Sequence, residues 1–172
     1  MSWVTIVNCR KHLFHKGGVV DTELLETLNT TFSTTMENMA FLFSDLLDKD
    51  CAVFNDKTYY SSIISFTGVS CGELRMAAPE STCCILAANM LGLEPEDQQV
   101  VNKAADAFKE ALNIICGQFL TNVFGEKEVF ILSTPSLVKY GCEKAMRNLN
   151  DENVLCFSVE EKPFLISLHI SK

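Results

Sequence analysis

The sequence predicts an α+β domain, a two-layer sandwich in which long amphipathic helices cover one face of an antiparallel-rich sheet. Apolar residues recur at helical spacing in two long segments, whereas two pairs of short segments rich in β-branched and aromatic residues are separated by turn residues, as in β-hairpins. Each long helical segment precedes one hairpin along the chain. Together these observations favour helices packed on a sheet built from hairpins.

The first predicted helix begins at Thr22, because Asp21 can serve as its N-cap and Glu23 lies in its first turn. The apolar periodicity predicts that it continues to Phe43. Its apolar positions are Leu25, Leu28, Phe32, Met36, Met39 and Phe43.

A hairpin and a short second helix come next. Residues 59–66 and 71–77 are predicted strands joined through Gly68 and Gly72. Beyond Pro79 a short helix begins at Glu80, and Gly92 ends it near Leu91.

The third predicted helix opens at residues 95–97, where a proline and two acidic residues are typical of a first turn. It continues to about Val123, before Gly125. Residues 128–133 and Pro135 follow, and the stretch up to Asn150 gives no clear assignment. A final hairpin is predicted from residues 154–159 and 164–170, with residues 160–163 as its turn.

The two long helices indicate a pseudo-twofold internal duplication. A constant shift along the chain places Phe32, Met36, Met39 and Phe43 on Phe108, Leu112, Ile115 and Phe119. The alternative is a chance match, since any two amphipathic helices share the same period.

Composition limits the possible functions. The 172 residues, 48% of them hydrophobic, suffice for one ordinary core. We divide the chain into an N-terminal extension, residues 1–20, and one domain, residues 21–172; residues 3–7 could add an edge strand or belong to a loose arm. A net charge of −8 argues against nucleic acid, and no stretch is long enough to cross a membrane. We therefore expect a soluble cytoplasmic protein.

The cysteines and histidines show no pattern typical of a metal or redox site. Most of the eight cysteines, such as Cys83, Cys84, Cys116 and Cys156, lie in apolar periodic segments, which predicts buried thiols. There is no Cys-x-x-Cys and no Cys/His group at metal-ligand spacing, so we predict no metal site. The three histidines are scattered along the chain.

The third helix carries the candidate functional surface. At helical spacing Asp106, Glu110, Asn113 and Gly117 fall on one side, opposite the apolar stripe that contains Phe108. An acid and a carboxamide three residues apart, with a glycine one turn further on, suit a surface that another macromolecule approaches closely. A solvated helix face without a partner is the alternative.

The pattern Asp106-x3-Glu110-x2-Asn113, followed by Pro135, resembles the active-site signature of the CheX/CheC/FliY chemotaxis phosphatase family. The resemblance spans roughly residues 22 to 170. The first helix has Thr34 and Glu37 where a second acid and amide would stand, so the chain is more similar to the CheX branch. Pro135 is interpreted as structural, because a proline fixes its own φ and restricts the preceding residue.

The resemblance implies an aspartyl-phosphate protein phosphatase that acts on a CheY-like response regulator. Asn113 would orient the attacking water, and Glu110 would pair with a lysine of the receiver domain. Asp106 and Gly117 would contact the partner. The chain itself would bind no cofactor, since Mg²⁺ belongs to the receiver, and a homodimer is expected from the resemblance.

Two alternatives remain at this point. A non-catalytic receiver-binding scaffold or sequestering module would have the same fold and docking face, although the presence of both Glu110 and Asn113 disfavours it. A redox-sensitive regulator would need an exposed cysteine of low pKa, which the sequence does not identify.

Overall fold

The computed structural model describes residues 21–171, so the predicted extension at residues 1–20 lies outside the described residues. The elements in chain order are α1 (Thr22–Ala40), β1 (Asp45–Leu46), β2 (Tyr59–Thr67), β3 (Cys71–Pro79), α2 (Glu80–Leu91), α3 (Gln98–Phe124), β4 (Ile131–Leu132), β5 (Ser136–Tyr140), α4 (Cys142–Leu149), β6 (Val154–Val159) and β7 (Lys162–Ser171). A short 3-10 turn spans Lys49–Cys51.

The strands of the described chain form one seven-stranded sheet in which every pairing is antiparallel. Its order is β1-β6-β7-β3-β2, and both β4 and β5 pair with the remaining edge of β2. The two long hairpins meet at the centre, where β3 pairs with β7 from Cys71 to Ala77. The predicted α+β class with an antiparallel sheet is confirmed, whereas the internal duplication stays a prediction.

Three helices, α1 to α3, pack on one face of the sheet and bury the main core. Its centre is aromatic: the Phe32 ring of α1 stacks on Phe157 of β6 at 4.4 Å between centroids and lies 5.1 Å from Phe164 of β7. Phe108 of α3 lies 5.9 Å from the same Phe164 ring. Both long helices therefore rest on the final hairpin.

The opposite face of the sheet carries a smaller cluster. Ala77, Val154, Cys156 and Leu165 are buried there, and Leu149 of α4 packs against them. The predicted placement of helices on one face thus holds for α1 to α3, while α4, in the stretch that had no assignment, lies on the other face.

The first helix ends earlier than its periodicity predicts. It stops at Ala40, and the next residue, Phe41, adopts the left-handed region with φ 53°. The carbonyl oxygen of Ala40 accepts a hydrogen bond from Asn89 Nδ2 of α2 at 2.7 Å. The extension to Phe43 is wrong: the backbone N–H groups of Phe41 and Leu42 bond to the carbonyl oxygens of Glu37 and Met36 and so end the helix, with Asn89 as a further partner. Phe43 is left 71% exposed.

The turn of the final hairpin is also shorter than predicted. Lys162 and Pro163 belong to β7, with Lys162 paired to Val159. Glu160 and Glu161 alone form the turn, with φ values of 52° and 60°. Two successive residues of positive φ are typical of the tight turn that matches the twist of a hairpin, although neither residue here is the usual glycine or asparagine.

Candidate functional site

Helix α3 forms one rigid wall of the candidate site. Its N-cap, Asp97, accepts a hydrogen bond from the backbone N–H of Gln99 at 2.8 Å, and the helix then runs for 27 residues to Phe124. Its buried residues are Val100, Ala104, Phe108, Ala111, Leu112, Ile115, Cys116, Phe119 and Leu120. Because this set fixes one side of α3 on the core, the other side faces outward.

The structure places all four residues of the predicted polar stripe on that outward side. Asp106 and Glu110 are exposed, and Asn113 and Gly117 are partly exposed. A shallow groove of about 370 Å³ runs along the stripe, and Asp106, Glu110 and Asn113 line it. Helical periodicity therefore identified side chains that lie together on an accessible surface.

The second wall of the groove is the segment 132–135, which ends in Pro135. This segment links β4 to β5, and both of these strands pair with β2. Ser133 anchors it twice to Ser65 of β2: Ser133 N–H donates to the Ser65 carbonyl, and Ser65 N–H donates to Ser133 Oγ, each at 2.9 Å. Pro135 thus lies opposite the acid and amide of α3.

An ion pair holds the following strand, β5, in place. Lys139 Nζ lies 3.0 Å from Glu80 Oε1, and the Tyr60 hydroxyl donates to the same oxygen at 2.7 Å. Hydrogen bonds of Lys139 with the Tyr60 hydroxyl and with Glu80 raise the pKa of Lys139 to about 12. The contact ties β5 to the start of α2, and with it the segment that borders the groove.

Lys109 is a groove residue that the sequence reasoning missed. Its Nζ lies 3.0 Å from Asp106 Oδ1, and Lys103 approaches the other oxygen of that carboxylate at 3.9 Å. The hydrogen bond from Lys109 lowers the pKa of Asp106. The available signal was spacing, since Lys109 follows Asp106 by three residues and precedes Asn113 by four, so all three share a helix face.

Glu110 and Asn113 differ from Asp106 in having no partner within the described part of the chain. Within residues 21–171, neither side chain takes part in a hydrogen bond or an ion pair. An exposed acid and a partly exposed carboxamide, one turn apart in one groove, keep their bonding capacity for another molecule.

Gly117 continues the stripe one turn beyond Asn113. Apart from the backbone of α3 itself, a Cβ built at this position would meet no atom of residues 21–171 within 4 Å, so the described fold does not demand a glycine there. A glycine inside a helix costs about 0.5 to 1 kcal/mol relative to alanine. Because Gly117 has no side chain, another molecule could approach the backbone of α3 closely at this turn.

The cysteines give no support to redox chemistry at this surface. Cys83, Cys116 and Cys156 are buried as predicted, whereas Cys84 is half-buried. Burial raises the pKa of all four thiols, to about 12 for Cys116 and about 11 for Cys156, which opposes formation of a reactive thiolate.

Neither a metal-binding cluster nor a membrane-spanning helix occurs among residues 21–171. In that part of the chain, no group of three or more His, Cys, Asp or Glu side chains could hold a metal ion. None of its helices is long and apolar enough to cross a membrane. The cytoplasmic location and the homodimer stay predictions.

Comparisons with known proteins agree with the fold and identify a family. Residues 60–160 match the family described as chemotaxis phosphatase CheX. The CheX protein of Desulfovibrio desulfuricans superimposes with a TM-score of 0.64 at 16% identity, covering 87% of this chain and 99% of that chain. CheX from Vibrio vulnificus gives a TM-score of 0.63 at 17% identity, covering 87% and 97%.

A third solved structure is a CheX–CheY–BeF3–Mg²⁺ complex from Borrelia burgdorferi. Its matching chain gives a TM-score of 0.60 at 18% identity, covering 87% of this chain and 98% of that one. No curated protein sequence matches. At these identities the structures establish a shared fold.

Proposed function

The chain belongs to the chemotaxis phosphatase CheX family, and on that premise we propose that it hydrolyses the aspartyl phosphate of a CheY-like receiver domain. One observation carries the proposal: Glu110 and Asn113 lie unpaired in one exposed groove of α3, among the described residues. The partner's chemistry fits this groove, because an acyl phosphate is intrinsically labile and needs a positioned water more than it needs a covalent catalyst.

Asn113 is the residue we assign to the attacking water. A carboxamide donates and accepts hydrogen bonds but does not take up a proton near neutral pH, so its contribution is orientation of the water. Asn113 belongs to the rigid middle of α3, which limits the positions that a bound water can take. In this proposal Mg²⁺ and a lysine, both supplied by the receiver, balance the charge on the phosphoryl group.

Glu110, one turn before Asn113, is assigned to the receiver's lysine. A carboxylate without an intramolecular partner can form a charge-assisted hydrogen bond across the interface, and this bond would set the register of docking. Lys109 lies in the same groove, tied to Asp106. Because Lys109 balances the charge of Asp106, Glu110 keeps its own charge for the receiver's lysine.

A non-catalytic receiver-binding module is the second candidate. Such a module would need the docking acid but no group aimed at the water. The direct test is loss of phosphate from a labelled CheY-like receiver, with and without this protein. Decay at the receiver's own rate, together with tight binding, would favour the scaffold.

We expect Glu110→Lys to weaken binding of the phosphorylated receiver by about tenfold or more, because two ammonium groups would then face each other. Titration of labelled receiver with the protein measures the affinity. Glu126→Lys is the matched control, since it makes the same charge change at an exposed residue just beyond α3. Equal affinities for the two variants would contradict the docking role of Glu110.

Gly117→Ala is expected to have opposite effects on folding and on binding. The added methyl group has open space, so the free energy of unfolding should rise by about 0.5 to 1 kcal/mol. The same methyl group should obstruct a partner that approaches the helix backbone, and receiver affinity should fall. Denaturant unfolding and the titration above measure the two effects. Unchanged affinity in the stabilised variant would show that no partner contacts this turn.

A further inference from the structure

A second cavity lies on the other face of the sheet, away from the α3 groove. It has a volume of about 180 Å³ and is enclosed by β2, β3, β5 and α4. Most of its lining residues carry hydrogen-bond donors: Ser61, Arg75, Ser136, Tyr140, Lys144 and Asn148. No carboxylate is among the described residues that line it.

The strand register builds the floor of this cavity. Ile63 of β2 pairs with Ser136 of β5 on one side and with Arg75 of β3 on the other, so the three residues form a row across the sheet. Helix α4 supplies the opposite wall, where Lys144 and Asn148 are one turn apart and share a helix face. Two cationic side chains therefore border one cavity from two separate elements.

The polar groups in the cavity are held by their neighbours. The Tyr140 hydroxyl accepts a hydrogen bond from Asn148 Nδ2 at 2.9 Å and forms another with the Ser61 side chain. Lys144 Nζ lies 5.2 Å from the centre of the Tyr140 ring. Burial raises the pKa of Tyr140, so the phenol keeps its proton and can donate it to a ligand.

The charge around Arg75 is partly balanced. Its Nη2 lies 3.4 Å from Glu73 Oε1, two residues earlier on the same face of β3, and both side chains are partly exposed. Lys144 has no such acid: within residues 21–171 its recorded contact is the Tyr140 ring.

We propose that this cavity binds a phosphate group, either as inorganic phosphate or as a small phosphomonoester. Arg75 and Lys144 would bind its oxygens from two sides, with Ser61, Ser136 and Tyr140 as neutral donors. Charge-assisted hydrogen bonds of this kind are characteristic of phosphate sites. The inference rests on this cavity alone and is independent of the function proposed for α3.

An occupied cavity would also affect the α3 groove. Ser136 lines the cavity and directly follows Pro135, which lines the groove. A bound phosphate would therefore hold the start of β5, the strand that continues the second wall of the groove.

Titration of the full chain with inorganic phosphate at constant ionic strength tests the site. Calorimetry measures the affinity, and the amide resonances of Ser136, Tyr140 and Lys144 report where the phosphate binds. The same titration with glycerol phosphate tests a phosphomonoester. The ligand that binds more tightly shows whether the cavity prefers inorganic phosphate or a phosphomonoester. Saturable binding that moves these resonances is the expected result. Absence of saturation with both ligands would overturn the proposal.

Three variants and a control sharpen this test. Arg75→Gln and Lys144→Gln should each weaken phosphate binding by about tenfold or more. Glu73→Gln should strengthen it, because Arg75 loses its competing carboxylate. Lys127→Gln, at an exposed lysine in the loop after α3, makes the same charge change as Lys144→Gln and should leave affinity unaltered. Equal losses in Lys127→Gln and Lys144→Gln, or weaker binding in Glu73→Gln, would refute a built site.

Discussion

Asn113→Ala is expected to slow receiver dephosphorylation by about 10² to 10⁴, the usual scale for one positioned group. The methyl group cannot hold a water in line, and nothing else changes in the groove, because the Asn113 side chain has no bond to lose within the described chain. The rate of label loss from the receiver, measured under single-turnover conditions, gives the effect. Affinity for the receiver should stay within about threefold of the wild type.

Asn102→Ala is the matched control for this experiment. Asn102 is an exposed asparagine of the same helix whose side-chain oxygen accepts a hydrogen bond from Gln98 at 3.2 Å, outside the groove. The Asn102→Ala variant should dephosphorylate the receiver at the wild-type rate. Equal rates for Asn113→Ala and the wild type would reject catalysis by α3. A fall in affinity that accounts for the whole loss of rate would instead assign Asn113 to docking.

Phe32→Ala is expected to lower the free energy of unfolding by about 3 to 5 kcal/mol, as for other large aromatic deletions from a core. The Phe32 ring is fully buried between α1 and the final hairpin, where it contacts Phe157 and Phe164. Its loss leaves a cavity beneath α1 beside the hairpin on which α3 also rests. Denaturant unfolding followed by circular dichroism measures the change.

Phe43→Ala makes the same chemical change at an exposed site and is the control. Phe43 is 71% exposed after the end of α1, so its truncation should alter the free energy of unfolding by no more than about 0.5 kcal/mol. Similar losses in the two variants would contradict both the assigned core and the observed end of α1.

The sequence predicted helix boundaries where the boundary chemistry is local. Asp21 caps α1 as expected, and Gly92 ends α2 with a φ of 66°. Helix α3 begins at Gln98, just after the predicted opening at residues 95–97, because Asp97 is its N-cap and not part of its first turn. The end of α1 could not be predicted in this way, because its left-handed residue is Phe41 and not a glycine, and because part of the cap comes from Asn89, a residue of another helix. Local capping is readable from neighbouring residues, whereas a tertiary cap needs the fold.

The candidate site likewise has one part that local sequence predicts and another that depends on the fold. The stripe of α3 follows from helical spacing and a single long element, so Glu110 and Asn113 were found together. The facing segment could be recognised only by Pro135, because its position depends on β4 and β5, strands of two and five residues with little pattern of their own. The phosphate cavity gave no sequence signal, since its lining comes from four elements.

The short strands at the borders of the sheet limit aggregation through strand pairing at high protein concentration. The described sheet ends on one side in β1, two residues long, and on the other in β4 and β5 with Pro135 near the break between them. An outermost strand with few free amide and carbonyl groups is a poor template for adding further chains, and proline removes one more donor. The described borders of the sheet therefore offer only short strands for edge-to-edge pairing with another sheet.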